Sequence, residues 1–187
     1  MEDSQFLALC RARHSVRRFS DRPVEKEKIE VCLEAARLAP SADNVQPARF
    51  VVFDDPDAKS KLADAVFVGV FASSAKFGKA PIIVALLIKE HLLVNKLAGA
   101  VQGTQFQLID AGIAGEHFVL AAAEQGLGTC WIGWYNGRAL AKHLGISGKG
   151  FRPIALIALG YPADDAPNPD KKRRPLSETA FWNQPPH

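Results

Sequence analysis

The chain has 187 residues, 48% of them hydrophobic and 23% charged, with 23 lysines and arginines against 20 acidic residues and a net charge of +3. That length supports one well-buried domain and leaves little for a second, and the composition is that of a globular protein rather than a disordered one. Basic residues cluster only at positions 11–18 and 171–174, which argues against a nucleic-acid track and favours local anion binding.

The N-terminus Met1-Glu2-Asp3-Ser4 is acidic. No apolar run approaches the roughly 20 residues of a membrane span, so a cytoplasmic chain without targeting signal or membrane partner is expected. Cys10, Cys32 and Cys130 are odd in number and lack C-x-x-C spacing, which suggests neither a disulfide framework nor a zinc site. No metal spacing links His91, His117, His143 and His187, and a lone histidine on an apolar helix such as His117 reads as a satisfied core residue.

The segment Arg13-His14-Ser15-Val16-Arg17-Arg18-Phe19 comes first in chain order. In extended or turning backbone alternate residues point the same way, so Arg13, Ser15 and Arg17 can converge on one ligand. Guanidinium forks and a hydroxyl suit phosphate oxygens. Taken alone, the stretch favours the reading of a solvated basic chain.

Residues 24–38 place Ile29, Cys32, Leu33 and Ala36 on one face, which predicts an amphipathic helix ending near Ala39-Pro40. The loop Pro40-Ser41-Ala42-Asp43-Asn44-Val45-Gln46-Pro47 follows. It is either a polar connector or a preorganised set of neutral donors and acceptors suited to an uncharged heterocycle. Arg49-Phe50-Val51-Val52-Phe53 reads as a strand, and Asp55-Pro56 supplies the N-cap and first residue of a helix through Val66.

Residues 67–80 show no periodicity and are expected to be irregular. The apolar run at 81–88 predicts a strand buried on both faces, and 89–103 are ambiguous. Residues 104–125 predict a long helix buried almost all round, with small residues Ala111, Gly112, Ala114 and Gly115 admitting another backbone. A chain this small cannot easily enclose such a helix, so a dimer core is expected. Gly126 and Gly128 end it. A strand at 129–134, a helix at 138–144 and a strand at 153–159 complete the core, and residues 163–187 form an arm.

Gly126-Leu127-Gly128 opens a G-x-G, but it leaves a helix instead of entering one and carries Trp131 where a third glycine belongs, so a dinucleotide fingerprint is rejected. Neither G-x-S-x-G nor a Walker loop is present. Cys130 reads as structural rather than nucleophilic. Lys171-Lys172-Arg173-Arg174-Pro175-Leu176 is balanced between a solvated charge run and a phosphate clamp.

Five pieces in this order resemble the nitroreductase family of flavin mononucleotide (FMN) enzymes: Arg13 to Phe19; Ala39-Pro40-Ser41 with Asn44 and Gln46-Pro47; the apolar helix leading into Gly126-Leu127-Gly128-Thr129-Cys130-Trp131-Ile132-Gly133; Leu159-Gly160-Tyr161-Pro162; and Lys171 to Leu176. The resemblance implies an α+β fold with a mostly antiparallel central sheet, assembled as a homodimer with FMN at the subunit interface. It implies that Arg13, His14 and Ser15 hold the phosphate and ribityl chain, with Lys171 and Arg173 closing on the phosphate. Arg17 would lie near the flavin N1 and O2 edge as an electrostatic tuner, and no conventional catalytic residue is expected. Pro40, Ser41, Ala42, Asn44 and Gln46 would line the cofactor site, with Ser41, Ala42 and Asn44 coming from the partner subunit. Cys130, Trp131, Ile132 and Gly133 would pass the isoalloxazine with their backbone. The implied activity takes hydride from NADH or NADPH and reduces nitroaromatics or quinones in a ping-pong cycle. An activated alkene, a halogenated aromatic, or FMN binding without turnover are the alternatives. Ala48 stands where many members carry tryptophan, and His117 where an amide is common.

Overall fold

A computed structural model describes residues 4–90, 103–167, 171–183 and 185. Four strands form one antiparallel sheet: β1 (Ala48–Phe53), β2 (Ile82–Lys89), β3 (Gly128–Ile132) and β4 (Phe151–Gly160), in the order β1-β2-β4-β3. Among the described residues five α-helices accompany them: α1 (Gln5–Ala12), α2 (Lys26–Arg37), α3 (Pro56–Val66), α4 (Phe106–Glu124) and α5 (Gly137–His143). The fold is α+β, as expected. Among the described residues no helix is long and apolar enough to cross a membrane.

The continuous apolar run of β2 is explained by helices on both faces of the sheet. Ile83, Ala85 and Leu87 pack into a core with Leu62 and Val66 of α3 and Leu140 of α5, whereas Ile82 and Val84 meet Ile29, Cys32 and Ala36 of α2 and Phe118, Val119 and Ala122 of α4. Period-two alternation therefore buries every residue from Ile82 to Ile88. Strand β4 repeats the pattern, with Leu156 and Ala158 on one face and Ile157 and Leu159 on the other. Pro153 is tolerated because it lies beside the irregularity between Leu86 and Leu87 and beyond the Leu156–Gly160 stretch that pairs with β3.

Local chemistry sets the helix ends. The Asp55 carboxylate accepts the Ala58 N–H at 2.8 Å with Pro56 opening α3, and Asn136 caps α5 through the Ala139 N–H at 3.0 Å. Helix α1 was not legible in the sequence: its eight residues bury none of their side chains, and Ser4 caps it by accepting the Leu7 N–H at 3.2 Å. Residues Gly69–Lys79, expected to be irregular, form successive 3₁₀ turns that bury Ser74 and Phe77, a geometry without the 3.6-residue period that sequence patterning detects. Of the ambiguous segment 89–103, residues 91–102 lie outside the described residues. The strand expected at 129–134 ends at Ile132, so Gly133 and Trp134 stand clear of the sheet.

Helix α4 departs from the expected all-round burial. Within one chain Leu108, Ile109, Gly112 and Glu116 form an exposed stripe opposite the buried Ala111, Ala114, Gly115 and Phe118. Its glycines also divide their work. Gly115 makes room for the indole of Trp131 rather than for another backbone, while a side chain at Gly112 would meet nothing within 4 Å.

Tyr161, just past β4, ties the C-terminal side of the sheet to α2. Its hydroxyl donates to Glu25 at 2.6 Å and accepts from Lys28 Nζ at 2.7 Å, and the Arg22 guanidinium lies 3.8 Å from its ring centroid. The Tyr161 hydrogen bond, aided by Arg22 and Lys28, lowers the Glu25 carboxyl to about 2. A carboxyl depressed on folding stabilises the native state above its unfolded pKa, and that contribution fades as pH falls from about 4.5 toward about 2. Tyr161→Phe is expected to return the Glu25 pKa toward the ordinary carboxylate range, read by NMR titration of the side chain; an unmoved pKa would assign the shift to Arg22 and Lys28 instead.

Candidate functional site

Arg13 is the C-cap of α1, and from Ser15 onward the chain runs extended along the sheet. Ser15 bridges Thr129 in parallel, the Val16 N–H donates to Thr129 O at 2.9 Å, and Phe19 bridges Pro162. The expected alternation follows. Val16 is buried and packs so closely on Gly128 that a Cβ there would lie 2.7 Å from one of its methyls. Arg18 turns to pair with Asp165. Ser15 and Arg17 are left on the side facing Cys130, whereas Arg13 lines a recess with His14 and Val16 and reaches Glu116 of α4.

Cys130 reports this convergence. Burial pushes its thiol up, while Arg17, Lys76, the Ser15 hydroxyl and Arg13 pull it down. It is buried and free, with Sγ 3.5 Å from Trp131 O, which suits the structural role read for it. Around it lies an open cleft of about 320 Å³, lined by Arg17 from one side, Cys130 to Trp134 from β3 and its exit, and Ser73, Ser74, Lys76 and Phe77 from the 3₁₀ segment. Trp131 turns its indole to the opposite face of the sheet against Gly115, so it offers the cleft its main chain.

At the other end of the cationic strip, Lys171 Nζ donates to Cys10 O at 2.8 Å, bringing the C-terminal arm back onto α1. Partial burial and then the like charges of Arg13 and Arg173 hold the Lys171 pKa below the usual lysine range, with Glu116 opposing. Arg13 has Glu116 of α4 as a long ion pair at 3.9 Å. Lys171 thus has the charges of Arg13 and Arg173 acting on it with the Glu116 carboxylate opposing them, an arrangement that favours an added anion. His14 has its Nδ1 3.1 Å from Ala12 O and lines a recess together with Arg13, Val16, Gly126 and Pro162. The basic residues of the arm make different contacts. Lys171 docks, whereas Arg174 pairs locally with Glu178 at 3.5 Å and Arg173 donates to the neighbouring Lys172 carbonyl at 2.9 Å.

The Pro40 to Pro47 loop stands apart. Pro40, Ser41 and Gln46 line a different cleft of about 230 Å³ with Ala48, Arg49 and Asp110, sharing no residue with the first. The loop is held in a costly shape. Asp43, Asn44 and Gln46 have φ of 50°, 53° and 48°, the left-handed region that non-glycine residues rarely occupy. Its clamps are the Gln46 N–H donating to Ser41 Oγ at 2.8 Å, Gln46 Nε2 donating to Asn44 Oδ1 at 3.0 Å, and the Ala42 N–H donating to the buried Asp110 carboxylate at 3.0 Å. His117 is satisfied, its Nδ1 3.2 Å from Ala35 O.

Sequence reasoning missed Ser73, Ser74, Lys76, Phe77 and Trp134 in the first cleft and Asp110 beneath the loop. Lys76 carried no usable signal, since it is a lone cation some sixty residues from Arg17 in an aperiodic stretch. Asp110 had one: an acid within an otherwise apolar helix needs a partner.

The profile of the nitroreductase family matches residues 10–161. A protein of Archaeoglobus fulgidus that carries the name NADH dehydrogenase/NAD(P)H nitroreductase is 34% identical, over 90% of this chain and 96% of its own. The crystal structure of a nitroreductase family protein from Clostridium difficile 630 superposes with a TM-score of 0.76 at 28% identity, covering 97% of this chain and 99% of that one. One from Streptococcus pneumoniae TIGR4 gives 0.78 at 26%, covering 96% and 100%. Together with the antiparallel sheet and the Arg13 to Arg17 strip laid along it, this match establishes that the chain belongs to the nitroreductase family.

Proposed function

We propose that this protein is an FMN-dependent oxidoreductase that takes hydride from NADH or NADPH and reduces nitroaromatic or quinone-type electrophiles as a homodimer. The observation that carries this reading is the strip itself: crowded cations Arg13, Lys171 and Arg173 at one end, and at the other an open cleft bordered by Arg17, Lys76 and the Cys130 to Gly133 backbone. The first end fits a phosphate, and the second fits a flat heterocycle with polar edges. Ser15 lies between them, with a hydroxyl suited to the polyol chain. FMN fits this donor set.

The chain's own residues then bind and orient. Arg13, Lys171 and Arg173 neutralise the phosphate, with His14 contributing through its backbone position beside them. Arg17 sets a fixed positive charge where electron density accumulates during reduction, the kind of preorganised electrostatic help that lowers a barrier without proton transfer. When bound, FMN supplies the redox chemistry, accepting hydride from the nicotinamide and passing the electrons to a second substrate in a ping-pong cycle. Pro40, Ser41, Ala42, Asn44 and Gln46 reach the cofactor of the partner subunit, consistent with their separation from the strip within one chain. The exposed stripe Leu108, Ile109 and Gly112 supplies apolar dimer contact. The three free cysteines suit a reducing cytoplasm.

The test is spectral. The purified protein should carry, or take up, a yellow chromophore whose visible band bleaches on anaerobic mixing with NADH or NADPH and returns on adding a nitroaromatic or a quinone. A protein that cannot be reconstituted with FMN sinks the proposal. A bound flavin that never bleaches leaves a binding or sensing role, and a bleached flavin reoxidised only by activated alkenes or halogenated aromatics overturns the substrate class.

A further inference from the structure

Trp134 is more than half exposed, at 56%, yet it is not loose. Its indole N–H donates to Val70 O at 2.8 Å, and its ring lies 5.2 Å from that of Phe71 at 54°. It follows the last residue of β3 by two positions, and it lines the same cleft as Arg17, Lys76 and Gly133. Apart from its two chain neighbours, a side chain at Gly133 would meet nothing within 4 Å, so the cleft is open beside the strand exit. Val70 at 75% and Val68 at 49% exposure extend the apolar surface outward from the mouth.

A buried tryptophan needs a partner for its N–H, and an exposed one normally directs that N–H to water. Here the polar handle is spent on the protein's own backbone and the ring is propped from one side. What remains for a ligand is a fixed, electron-rich aromatic face. Such a face gains most from a second ring whose quadrupole is reversed by electron-withdrawing groups, and because the indole is already immobilised, little ordering entropy opposes the contact. Single exposed hydrophobic residues are ordinary. One that is pinned by a hydrogen bond, backed by a phenylalanine and set on the rim of the candidate cofactor cleft has a narrower reading.

We propose that Trp134, backed by Phe71, is the specificity-determining residue of the electron-acceptor site, selecting flat, electron-poor aromatic rings by stacking on its indole. This rests on the reading of the cleft as the FMN site and deepens it by naming what distinguishes one acceptor from another. The residue acts on the acceptor and has no part in delivering electrons. Its removal therefore changes which acceptors are used.

Two measurements on the FMN-loaded enzyme test this. The first is the ratio of kcat/KM for nitrobenzene and for menadione to that for ferricyanide, an acceptor with no ring to stack. The second, without NADH or NADPH, is the dissociation constant of nitrobenzene followed by perturbation of the visible flavin band. Trp134→Phe should keep both within about threefold, whereas Trp134→Ala and Trp134→Leu should lower the ratio and weaken nitrobenzene binding by about tenfold or more. Leucine matters because it keeps apolar area and removes the π face. If Trp134→Leu behaves as wild type, plain hydrophobic contact suffices and the proposal fails; it also fails if all three variants keep the ratio. Should the alanine variant not hold FMN, the contrast of phenylalanine and leucine decides alone. Wild-type protein that takes up no FMN overturns the reading of the cleft together with the proposal, while normal FMN binding and bleaching with unchanged ratios and unchanged nitrobenzene binding overturns only the role of Trp134.

Discussion

Gly115→Ala is expected to cost about 2–3 kcal/mol of stability, because the new methyl has no space to enter. A Cβ at Gly115 would overlap Cη2 of Trp131, lie 2.6 Å from Cζ2 and stand 3.2 Å from Leu86 Cδ2. None of these can yield cheaply. Leu86 is fully buried in the central strand, and Trp131 is flanked along β3 by buried Cys130 and Ile132. Alanine's better helix propensity, worth about 1 kcal/mol over glycine, offsets only part of the overlap. Urea unfolding measures the loss. Trp131→Phe in the same chain should restore part of it, since a smaller ring vacates the contested volume and the two substitutions couple. A Gly115→Ala protein as stable as wild type would show that the indole does not sit against this helix. The same residue pair sets the course of the cleft floor, so the variant should also bind FMN less tightly.

Removing the cationic clamp gives the second large effect. Arg13→Ala should weaken FMN binding by roughly 10- to 150-fold, the equivalent of about 1.5–3 kcal/mol for a charge-assisted hydrogen bond to phosphate. Lys171→Ala should fall in the same range. Their combination should be more than additive if both meet one phosphate, because in each single variant the remaining cation partly compensates. The free protein should not suffer in parallel: Lys171 sits beside Arg13 and Arg173 with its pKa held down, so deleting one cation relieves like-charge repulsion. Equilibrium titration with FMN, at low and at raised salt, separates these outcomes. Unchanged affinity in Arg13→Ala would detach that residue from the phosphate, and an affinity lost equally with riboflavin, which has no phosphate, would place both residues elsewhere on the cofactor.

How much of this was readable beforehand depended on periodicity. Helix α2 was legible because Ile29, Cys32 and Ala36 recur with helical spacing, and α3 because Asp55-Pro56 is a start signal in itself. Strands β2 and β4 were legible as short apolar runs, although the sequence could not say that helices cover both sides of an antiparallel sheet. Helix α1 was missed because it is only eight residues long and buries none of its side chains, so no core-facing set of residues marks it. The 3₁₀ segment Gly69–Lys79 was missed because three residues per turn leave no stripe, and with it went Lys76 and the other residues that complete the cleft.

The sequence by itself determined which groups the candidate site can contain: Arg13, Ser15 and Arg17 on one side of an extended strip, a polar loop between two prolines, and a basic arm. Local rules suffice for that, since alternation and side-chain chemistry are properties of neighbouring residues. Only the tertiary structure decided which of them meet. It carried Lys171 back to α1 and Lys76 to Arg17, turned Arg18 away, and set the Pro40 to Pro47 loop over a different cleft under the hold of Asp110. It also left Trp134 propped at the rim. Those outcomes depend on contacts between residues about 60 to 161 positions apart, where burial, charge and the geometry of the sheet act together and no short window of sequence records the result.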